Sequence, residues 1–465
     1  MPAFSEQHFR WTWDLVSPPE ALWPLVSNTD RFNRDCGYPP VTVVTPSGPG
    51  AAAAKIAPVT NARRLRAAVL GVTIEWDELA FEWLAPTRYG VERTYYSGPV
   101  AKMLMFCELT PRAGGGTTLV YDMRLTPSNF LGRLALPFSI GRRARATTRR
   151  VFHRYDEFAQ RGLRASQLAQ RPRLASGGTE RLARIGRALV DDASQPPPLV
   201  GRFTEFLTTA DDLAAARIRP YALADEWRAS RQNTLLLFLH ATRAGALDFS
   251  WDLVCPHCRG AKASESSLSA VKASAHCDTC NVDFTANFDQ SVELTFIPNP
   301  AIRAVTRADY CVGGPQVTPH VVAQQSLRPG ERRVLPLALD PGRYRVRTPR
   351  LPEQHTFRTA PGAPAAARID LGASSLTEHL VAPDGQLTLV NADGHEHLAI
   401  IERVAWSDQS TTAAEVTSLQ LFRDLFSREV LRHGEQISVG SMTVVFTDLK
   451  NSTQLYQDIG DAPAF

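Results

Sequence analysis

The chain of 465 residues is 44% hydrophobic and 21% charged, which is ordinary for a globular protein and long enough for about three domains. Its 51 basic and 47 acidic side chains leave a net charge of +4, too small a surplus to indicate a nucleic-acid-binding protein. No apolar run approaches the roughly 18 residues of a membrane-spanning helix, and the N-terminus lacks the apolar core of a signal peptide. The sequence therefore predicts a cytoplasmic protein with neither a nucleic acid nor a membrane as partner.

The first 165 residues predict a mixed α+β domain. Residues 9–15 alternate strictly between large apolar and other side chains, as in a strand with one buried face, and a short helix follows. Further alternating segments occupy residues 72–125, and residues 144–158 carry apolar side chains at helical spacing. We therefore expect one strand, a short helical section, a run of antiparallel strands and a long last helix over residues 1–165.

This order of elements resembles the helix-grip fold of START-like and polyketide-cyclase-like proteins, in which the sheet curls around the last helix. The resemblance rests on topology and covers residues 1–165. It implies a sensor domain that holds an apolar small molecule between helix and sheet. The alternative is that the large aromatic side chains only fill a core; these are Trp11, Trp13, Trp76, Trp83, Phe106 and Phe152.

A group of arginines occupies the beginning of the predicted last helix. They stand at positions 142, 143, 145, 149 and 150. They have two interpretations, a patch that binds phosphate or a membrane surface, and a solvated helix face. The second is the simpler one.

Residues 180–315 predict a helical domain that contains a metal site. Cys255 and Cys258 form one CxxC motif, Cys277 and Cys280 form a second, and 18 residues separate the two. This spacing is typical of a tetrahedral zinc site, because each short turn directs both of its sulfurs at one ion. Four thiolates leave no open position, so we expect a structural Zn²⁺ in a ribbon over residues 251–284. The preceding helices are interpreted as a protein-packing scaffold.

Residues 316–408 predict a small β-sandwich, because they contain short strand segments separated by turn sequences. A capping box at Thr412 and Glu415 then opens a predicted linker helix over residues 411–437. Its apolar stripe has two interpretations: it packs on the β-sandwich, or it transmits orientation to the segment that follows. The stripe consists of Val416, Leu419, Phe422, Leu425 and Phe426.

The last segment, residues 440–465, carries the chemistry of a metal and polyphosphate site. Residues 442–446 form a short β-branched and apolar run that suits a buried strand, and the run is followed by the acidic Asp448. Ser452 or Thr453 is then placed to cap a short helix. A carboxylate beside a polar loop and a helix N-terminus can hold a divalent cation next to phosphate groups.

The sequence of this segment resembles the N-terminal part of the class III adenylate/guanylate cyclase catalytic domain. The resemblance rests on Phe446-Thr447-Asp448, Ser452-Thr453 and Gly460-Asp461. The resemblance implies that Asp448 binds both catalytic ions, Mg²⁺ or Mn²⁺, and that the main-chain carbonyl of Leu449 binds metal too. It also implies that loop amides around Phe446, Thr447 and Asn451 contact a nucleoside triphosphate. Residues 180–465 as a whole resemble bacterial cyclase-associated regulatory regions in which a ribbon precedes the catalytic domain.

The predicted fold class is thus α+β and multidomain: a helix-grip domain, a helical domain with a zinc ribbon, a β-sandwich, and the first strand and helix of a ferredoxin-like cyclase domain. The predicted function is the regulatory and sensory portion of a cyclase that converts ATP, or alternatively GTP, to the cyclic 3′,5′-nucleotide and pyrophosphate. The resemblance implies a homodimer formed through the cyclase domain. Because the other metal and transition-state residues of that family lie beyond residue 465, we expect this chain alone to be inactive. The competing hypothesis is a stand-alone ligand-binding and scaffolding protein with a vestigial cyclase start.

Overall fold

A computed structural model describes residues 4–44, 62–69, 71–162, 172–256, 259–277, 282–288, 290–306, 308–373, 378–404, 409–427 and 429. Over these residues the chain is a mixed α+β protein built around a large, mainly antiparallel sheet of 13 strands. Three further small sheets of two or three strands complete the described β-structure.

The N-terminal part of the large sheet has the strand order β1-β8-β7-β6-β5, and β4, β3 and β2 continue it from β6. Its strands are β1 (Gln7–Leu15), β2 (Val41–Val43), β3 (Arg63–Val69), β4 (Val72–Glu78), β5 (Glu82–Leu84), β6 (Arg88–Tyr95), β7 (Val100–Pro111) and β8 (Thr117–Pro127). Its helices are α1 (Pro19–Val26), α2 (Thr29–Asp35), α3 (Phe130–Phe138), a π-helical section (Ser139–Ala144) and α4 (Arg145–Gln160).

Helix α4 packs along this sheet through its apolar face. Val151, Phe152 and Tyr155 are buried, and the Phe152 ring stacks on Phe32 with ring centroids 5.0 Å apart. The alternation of β1 places Trp11 and Trp13 on the same inner face. The last helix gripped by a curved antiparallel sheet is the arrangement that the sequence predicts for this domain.

The helical region follows, and it packs on a three-stranded sheet with the order β10-β9-β13. Its helices are α5 (Gly178–Asp191), α6 (Pro197–Thr209), α7 (Asp212–Ala215), α8 (Pro220–Trp227) and α9 (Arg231–Arg243). Its strands are β9 (Leu247–Val254), β10 (Ala261–Glu265), β11 (Ser274–Cys277), β12 (Val282–Thr285) and β13 (Val292–Pro298), and β11 and β12 form a hairpin. Short 3₁₀ turns lie at Leu268–Ala270 and Pro315–Val317.

Two facing sheets enclose the next core, but one of them is continuous with the N-terminal sheet. The strands are β14 (Val321–Leu327), β15 (Arg332–Pro336), β16 (Gly342–Arg347), β17 (Gln354–Thr359), β18 (Ala366–Leu371), β19 (His379–Val381), β20 (Gln386–Asn391) and β21 (His397–Arg403). Strand β14 pairs with β5 through Ala323 opposite Leu84 and Gln324 opposite Trp83. The two-sheet unit expected from the sequence is therefore joined to the N-terminal domain through neighbouring strands. Strand β14 of this unit covers the edge of β5.

The linker helix is interrupted in the structure. Two short helices, α10 (Ala413–Ser418) and α11 (Gln420–Leu425), meet at Leu419, whose backbone is extended with φ −70° and ψ 127°. Phe422 packs on Trp251 and Phe426 packs on Phe249, with ring centroids 6.2 and 4.6 Å apart. The expectation of one continuous helix is wrong over these residues, and the apolar stripe packs on β9 of the helical region instead of on the β-sandwich.

Residues 430–465 lie outside the described part of the chain, so the predicted cyclase strand and helix lie outside it as well. Among the residues that are described, no helix is both long and apolar enough to cross a bilayer.

Candidate functional site

A cavity of about 260 Å³ lies inside the N-terminal domain, between the concave face of the sheet and helix α2. Period-2 alternation directs side chains of six strands into it. The strand residues are Val41 of β2, Leu65, Ala67 and Val69 of β3, Ile74, Trp76 and Glu78 of β4, Tyr89, Arg93 and Tyr95 of β6, Val100, Met103 and Met105 of β7, and Tyr121, Met123 and Leu125 of β8. Most of these side chains are apolar or aromatic, which is typical of a small-molecule site.

One charged pair interrupts this apolar lining. Glu78 and Arg93 stand opposite each other on β4 and β6, and the Arg93 Nε donates to Oε2 of Glu78 at 2.8 Å. The Glu78 side chain is fully buried and that of Arg93 is 18% exposed. Burial acts to lower the pKa of the Arg93 guanidinium, but the charge and hydrogen bond of Glu78, together with Tyr95 and Cys311, outweigh burial and raise that pKa.

Two buried polar atoms beside this pair have no hydrogen-bond partner among the described residues. They are the second carboxylate oxygen of Glu78, Oε1, and the indole Nε1 of Trp76. Both residues line the cavity, and the Arg93 guanidinium carbon lies 5.8 Å from the centroid of the Trp76 ring. Because buried polar groups are almost always satisfied, an unpartnered acceptor and an unpartnered donor on neighbouring inward positions of β4 indicate a position for a polar group of a bound molecule.

The tyrosines of the cavity do not supply charge. Burial raises the pKa of Tyr89 and of Tyr121 well above the usual value for a phenol, so both stay neutral at physiological pH. Burial also raises the pKa of Tyr95, although the Arg93 charge opposes the effect. Tyr89 is satisfied internally, since its hydroxyl donates to the main-chain carbonyl of Val26 at 3.0 Å. Recognition of charge in this cavity therefore depends on Glu78 and Arg93.

One wall of the cavity comes from a distant part of the chain. Tyr310 and Cys311 line the cavity, and their backbone N–H groups donate to the Asp30 carboxylate of α2 at 2.5 and 2.9 Å. The Asn33 amide donates to the carbonyl of Tyr310 at 2.8 Å. Arg63 of β3 donates to the carbonyl of Val312 at 2.6 Å. We refer to residues 309–313 as the closing segment, because they complete a cavity that residues 1–165 alone leave open.

The predicted zinc ligands are described only in part. Cys255 follows the end of β9 and Cys277 ends β11; both are fully buried and belong to the same core cluster. The Cys255 N–H donates to the carbonyl of Gly260 at 3.1 Å. Cys258 and Cys280 lie outside the described residues. Within the described residues no group of three or more potential metal ligands occurs.

The predicted catalytic and phosphate-binding residues Asp448, Phe446, Thr447, Leu449 and Asn451 also lie outside the described part of the chain. The structure therefore brings together a different set of residues from the one that the sequence singles out. Trp76, for which the sequence allows either a core or a pocket position, lines the cavity and carries one of its unpartnered polar atoms. The sequence does contain a signal for Glu78 as a site residue. It is an acidic residue at the end of β4, on the same face of the alternation as the inward-facing Ile74 and Trp76.

Comparisons with known proteins give one family and a group of distant structures. Residues 188–311, the helical region with β9–β13, match the model of a family of unknown function, DUF5939. No curated protein matches the chain. Ara h 8.0201 is 14% identical over 34% of this chain and 99% of its own length, with a TM-score of 0.24. A Thermus thermophilus protein is 16% identical over 33% of this chain and 99% of its own, with a TM-score of 0.24.

The Zhui aromatase/cyclase from a Streptomyces species is 16% identical over 35% of this chain and 98% of its own length, with a TM-score of 0.25. Because these identities and TM-scores are low, the helix-grip assignment rests on the strand order and helix packing of this chain itself.

Proposed function

We propose that the N-terminal domain binds a small, mainly apolar molecule that carries one hydrogen-bond donor, such as a hydroxyl group. The observation that carries the proposal is the unpartnered Glu78 Oε1 inside an aromatic cavity. A hydroxyl group of the ligand donates to this oxygen, and the neighbouring Trp76 Nε1 donates to the hydroxyl oxygen. The apolar part of the ligand then packs among the aromatic and methionine side chains.

The cavity volume sets the size of this ligand. About 260 Å³ is larger than the ~150 Å³ apolar cavity that suffices for a benzene-sized molecule, and it is below the range of drug-sized sites. A ligand of one or two fused rings fits this volume. A long acyl chain does not.

Two isosteric probes test this proposal. 2-Naphthol carries a hydroxyl where 2-methylnaphthalene carries a methyl group, and calorimetry measures how tightly each binds to the full chain. We expect 2-naphthol to bind about tenfold more tightly, since a hydrogen bond to a charged group contributes roughly 1.5–3 kcal/mol. Trp76→Phe should reduce this preference. Ala67→Phe, which fills the cavity, should abolish binding of both probes, and Val334→Phe, at an exposed position of β15 away from the cavity, is the matched control.

We further propose that the chain is the regulatory and sensory portion of a class III nucleotide cyclase. The support is the sequence around Asp448 and its resemblance to the start of that catalytic domain. Two Mg²⁺ or Mn²⁺ ions would activate the ribose 3′-hydroxyl of ATP, or alternatively GTP, and neutralise the triphosphate. Asp448 is the residue assigned to hold them, with Leu449 contributing its carbonyl.

A cyclase assay on a chain that carries the complete catalytic domain tests this second proposal. Conversion of ATP with Mn²⁺ to the cyclic nucleotide should be lost in Asp448→Ala and retained in Asp458→Ala, a control ten residues further on in the predicted helix. Turnover by Asp448→Ala would refute the assignment. If 2-naphthol binds the cavity and never changes the cyclic nucleotide output, the stand-alone ligand-binding scaffold becomes the better account.

A further inference from the structure

The helical run after β8 carries an apolar face that no described residue covers. Phe130, Leu131, Leu134 and Phe138 are 61–76% exposed. Their spacing places them on one side of α3, because side chains four residues apart lie one above the other on a helix. Leucine and phenylalanine side chains exposed together on successive turns are costly in water, and they mark an interaction surface.

The opposite side of α3 packs against the domain, and this packing determines that the apolar face points outward. Gly132 and Leu136 are buried against the domain, and a Cβ at Gly132 would collide with the carbonyl of Pro99. The side chain of Asn129 caps the helix by accepting from the Gly132 N–H at 2.8 Å. The helix is thus held by its small and apolar inner side, and the four exposed side chains point away from the domain.

A cluster of positive charge adjoins the apolar face. Residues 128–150 contain six arginines and neither aspartate nor glutamate. All six arginines are exposed, and none forms an ion pair with a described acidic residue; they are Arg133, Arg142, Arg143, Arg145, Arg149 and Arg150. Arg145 and Arg149 lie four residues apart on α4, so they present their guanidinium groups on one side. We call this arginine cluster together with the four apolar side chains the docking face.

We propose that the docking face binds the surface of a membrane that contains anionic lipids. Phenylalanine and leucine side chains enter the boundary between headgroups and acyl chains, and the arginines contact lipid phosphates, as in interfacial amphipathic helices. Charge complementarity selects this partner. A second copy of the chain would oppose the same six positive charges to one another, and a nucleic acid would leave the apolar side chains in water.

The docking face lies beside the cavity, because Ile140 of the π-helical section is one of the residues that line the cavity. The membrane proposal stands on the exposed side chains and their charge, and it does not depend on ligand binding in that cavity. It concerns attachment to the surface, which is compatible with the absence of a spanning helix among the described residues.

Co-sedimentation of the full chain with vesicles tests the proposal. We expect the chain to bind phosphatidylcholine vesicles that contain phosphatidylglycerol, to bind pure phosphatidylcholine vesicles at least about tenfold more weakly, and to dissociate as salt is raised. Arg142→Glu with Arg143→Glu should weaken binding to the anionic vesicles by at least about tenfold and remove the preference for them. Leu131→Asp with Leu134→Asp should weaken binding to both kinds of vesicle.

The matched control is Val334→Asp with Leu380→Asp, which changes two apolar residues of β15 and β19 that are 45% and 43% exposed. Thermal unfolding checks that every variant is folded. Three results would overturn the proposal: no binding of the unaltered chain to anionic vesicles at low salt, equal loss of binding in the control, or unchanged binding in both docking-face variants. A chain that ignores vesicles but forms a dimer, which Leu131→Asp with Leu134→Asp dissociates, would assign the face to a contact between copies.

Discussion

Arg31 of helix α2 and Asp211, the cap of helix α7, form a buried ion pair that joins the cavity wall to the helical region. Their side chains are only 4% and 3% exposed. Asp211 also accepts from Arg34 at 3.1 Å and from the N–H of Ala214 at 2.8 Å. Since other residues of α2 line the cavity, a ligand that displaces α2 also moves Arg31 relative to Asp211. The pair is therefore one connection between the cavity wall and the helical region.

Removal of the Arg31 charge should destabilise the protein strongly. In Arg31→Met the buried Asp211 carboxylate keeps Arg34 and the Ala214 N–H as partners but loses the positive charge of Arg31. Breaking a buried ion pair in this way typically costs about 3–5 kcal/mol of unfolding free energy. Arg64→Met is the matched control, because Arg64 pairs with Asp77 on the surface with side chains 45% and 29% exposed. An exposed pair contributes at most about 1 kcal/mol. Denaturant unfolding measures both, and equal losses in the two variants would contradict the burial argument.

The contribution of Asp211 should depend on pH. Burial acts to raise the pKa of Asp211, but the charge and hydrogen bond of Arg31, together with the Ala214 N–H and the charge of Arg34, outweigh burial and hold the pKa below its usual value. The stabilisation is therefore complete above the unfolded-state pKa of about 4 and is lost as pH falls through the lower pKa of the folded state. The difference in unfolding free energy between the wild type and Asp211→Asn should be constant near neutral pH and shrink below about pH 4. A difference that grows on acidification would show that another group controls it.

A fragment of residues 1–165 should bind 2-naphthol more weakly than the full chain. It lacks Tyr310 and Cys311 of the closing segment, and it exposes the edge of β5 that β14 covers. Calorimetry on both chains measures the difference, and circular dichroism with thermal unfolding checks that the fragment is folded. A folded fragment with unchanged affinity would show that the closing segment does not contribute to the site.

The chain should contain one equivalent of zinc if Cys255, Cys258, Cys277 and Cys280 form the proposed four-sulfur site. Cys258→Ser and Cys280→Ser should each lower the zinc content and the melting temperature, because the binding free energy of a structural zinc is folding free energy. Cys36→Ser is the control, because Cys36 caps the C-terminus of α2 in the N-terminal domain and is not one of the four proposed zinc ligands. Elemental analysis of a folded chain without zinc would refute the site.

Local patterns were sufficient for most of the N-terminal fold. The alternation in residues 9–15 and 117–125 and the helical spacing around Val151 and Phe152 predict these strands and the long helix, because one face of each element must be apolar. The same reasoning failed at Leu419, where packing of Phe422 and Phe426 on β9 breaks a stripe that reads as continuous. It also missed β3, whose three arginines and two alanines hide the alternation.

The sequence by itself determined the element types of the first domain, the pair of CxxC motifs, and the chemistry suggested around Asp448, because each depends on residues close together in the chain. Only the tertiary structure decided that Glu78 faces Arg93 beside Trp76, because this requires one particular register between β4 and β6. It also decided that residues 309–313 close the cavity and that β14 extends the sheet from β5. These contacts join residues more than 200 positions apart, and no local periodicity encodes such a pairing.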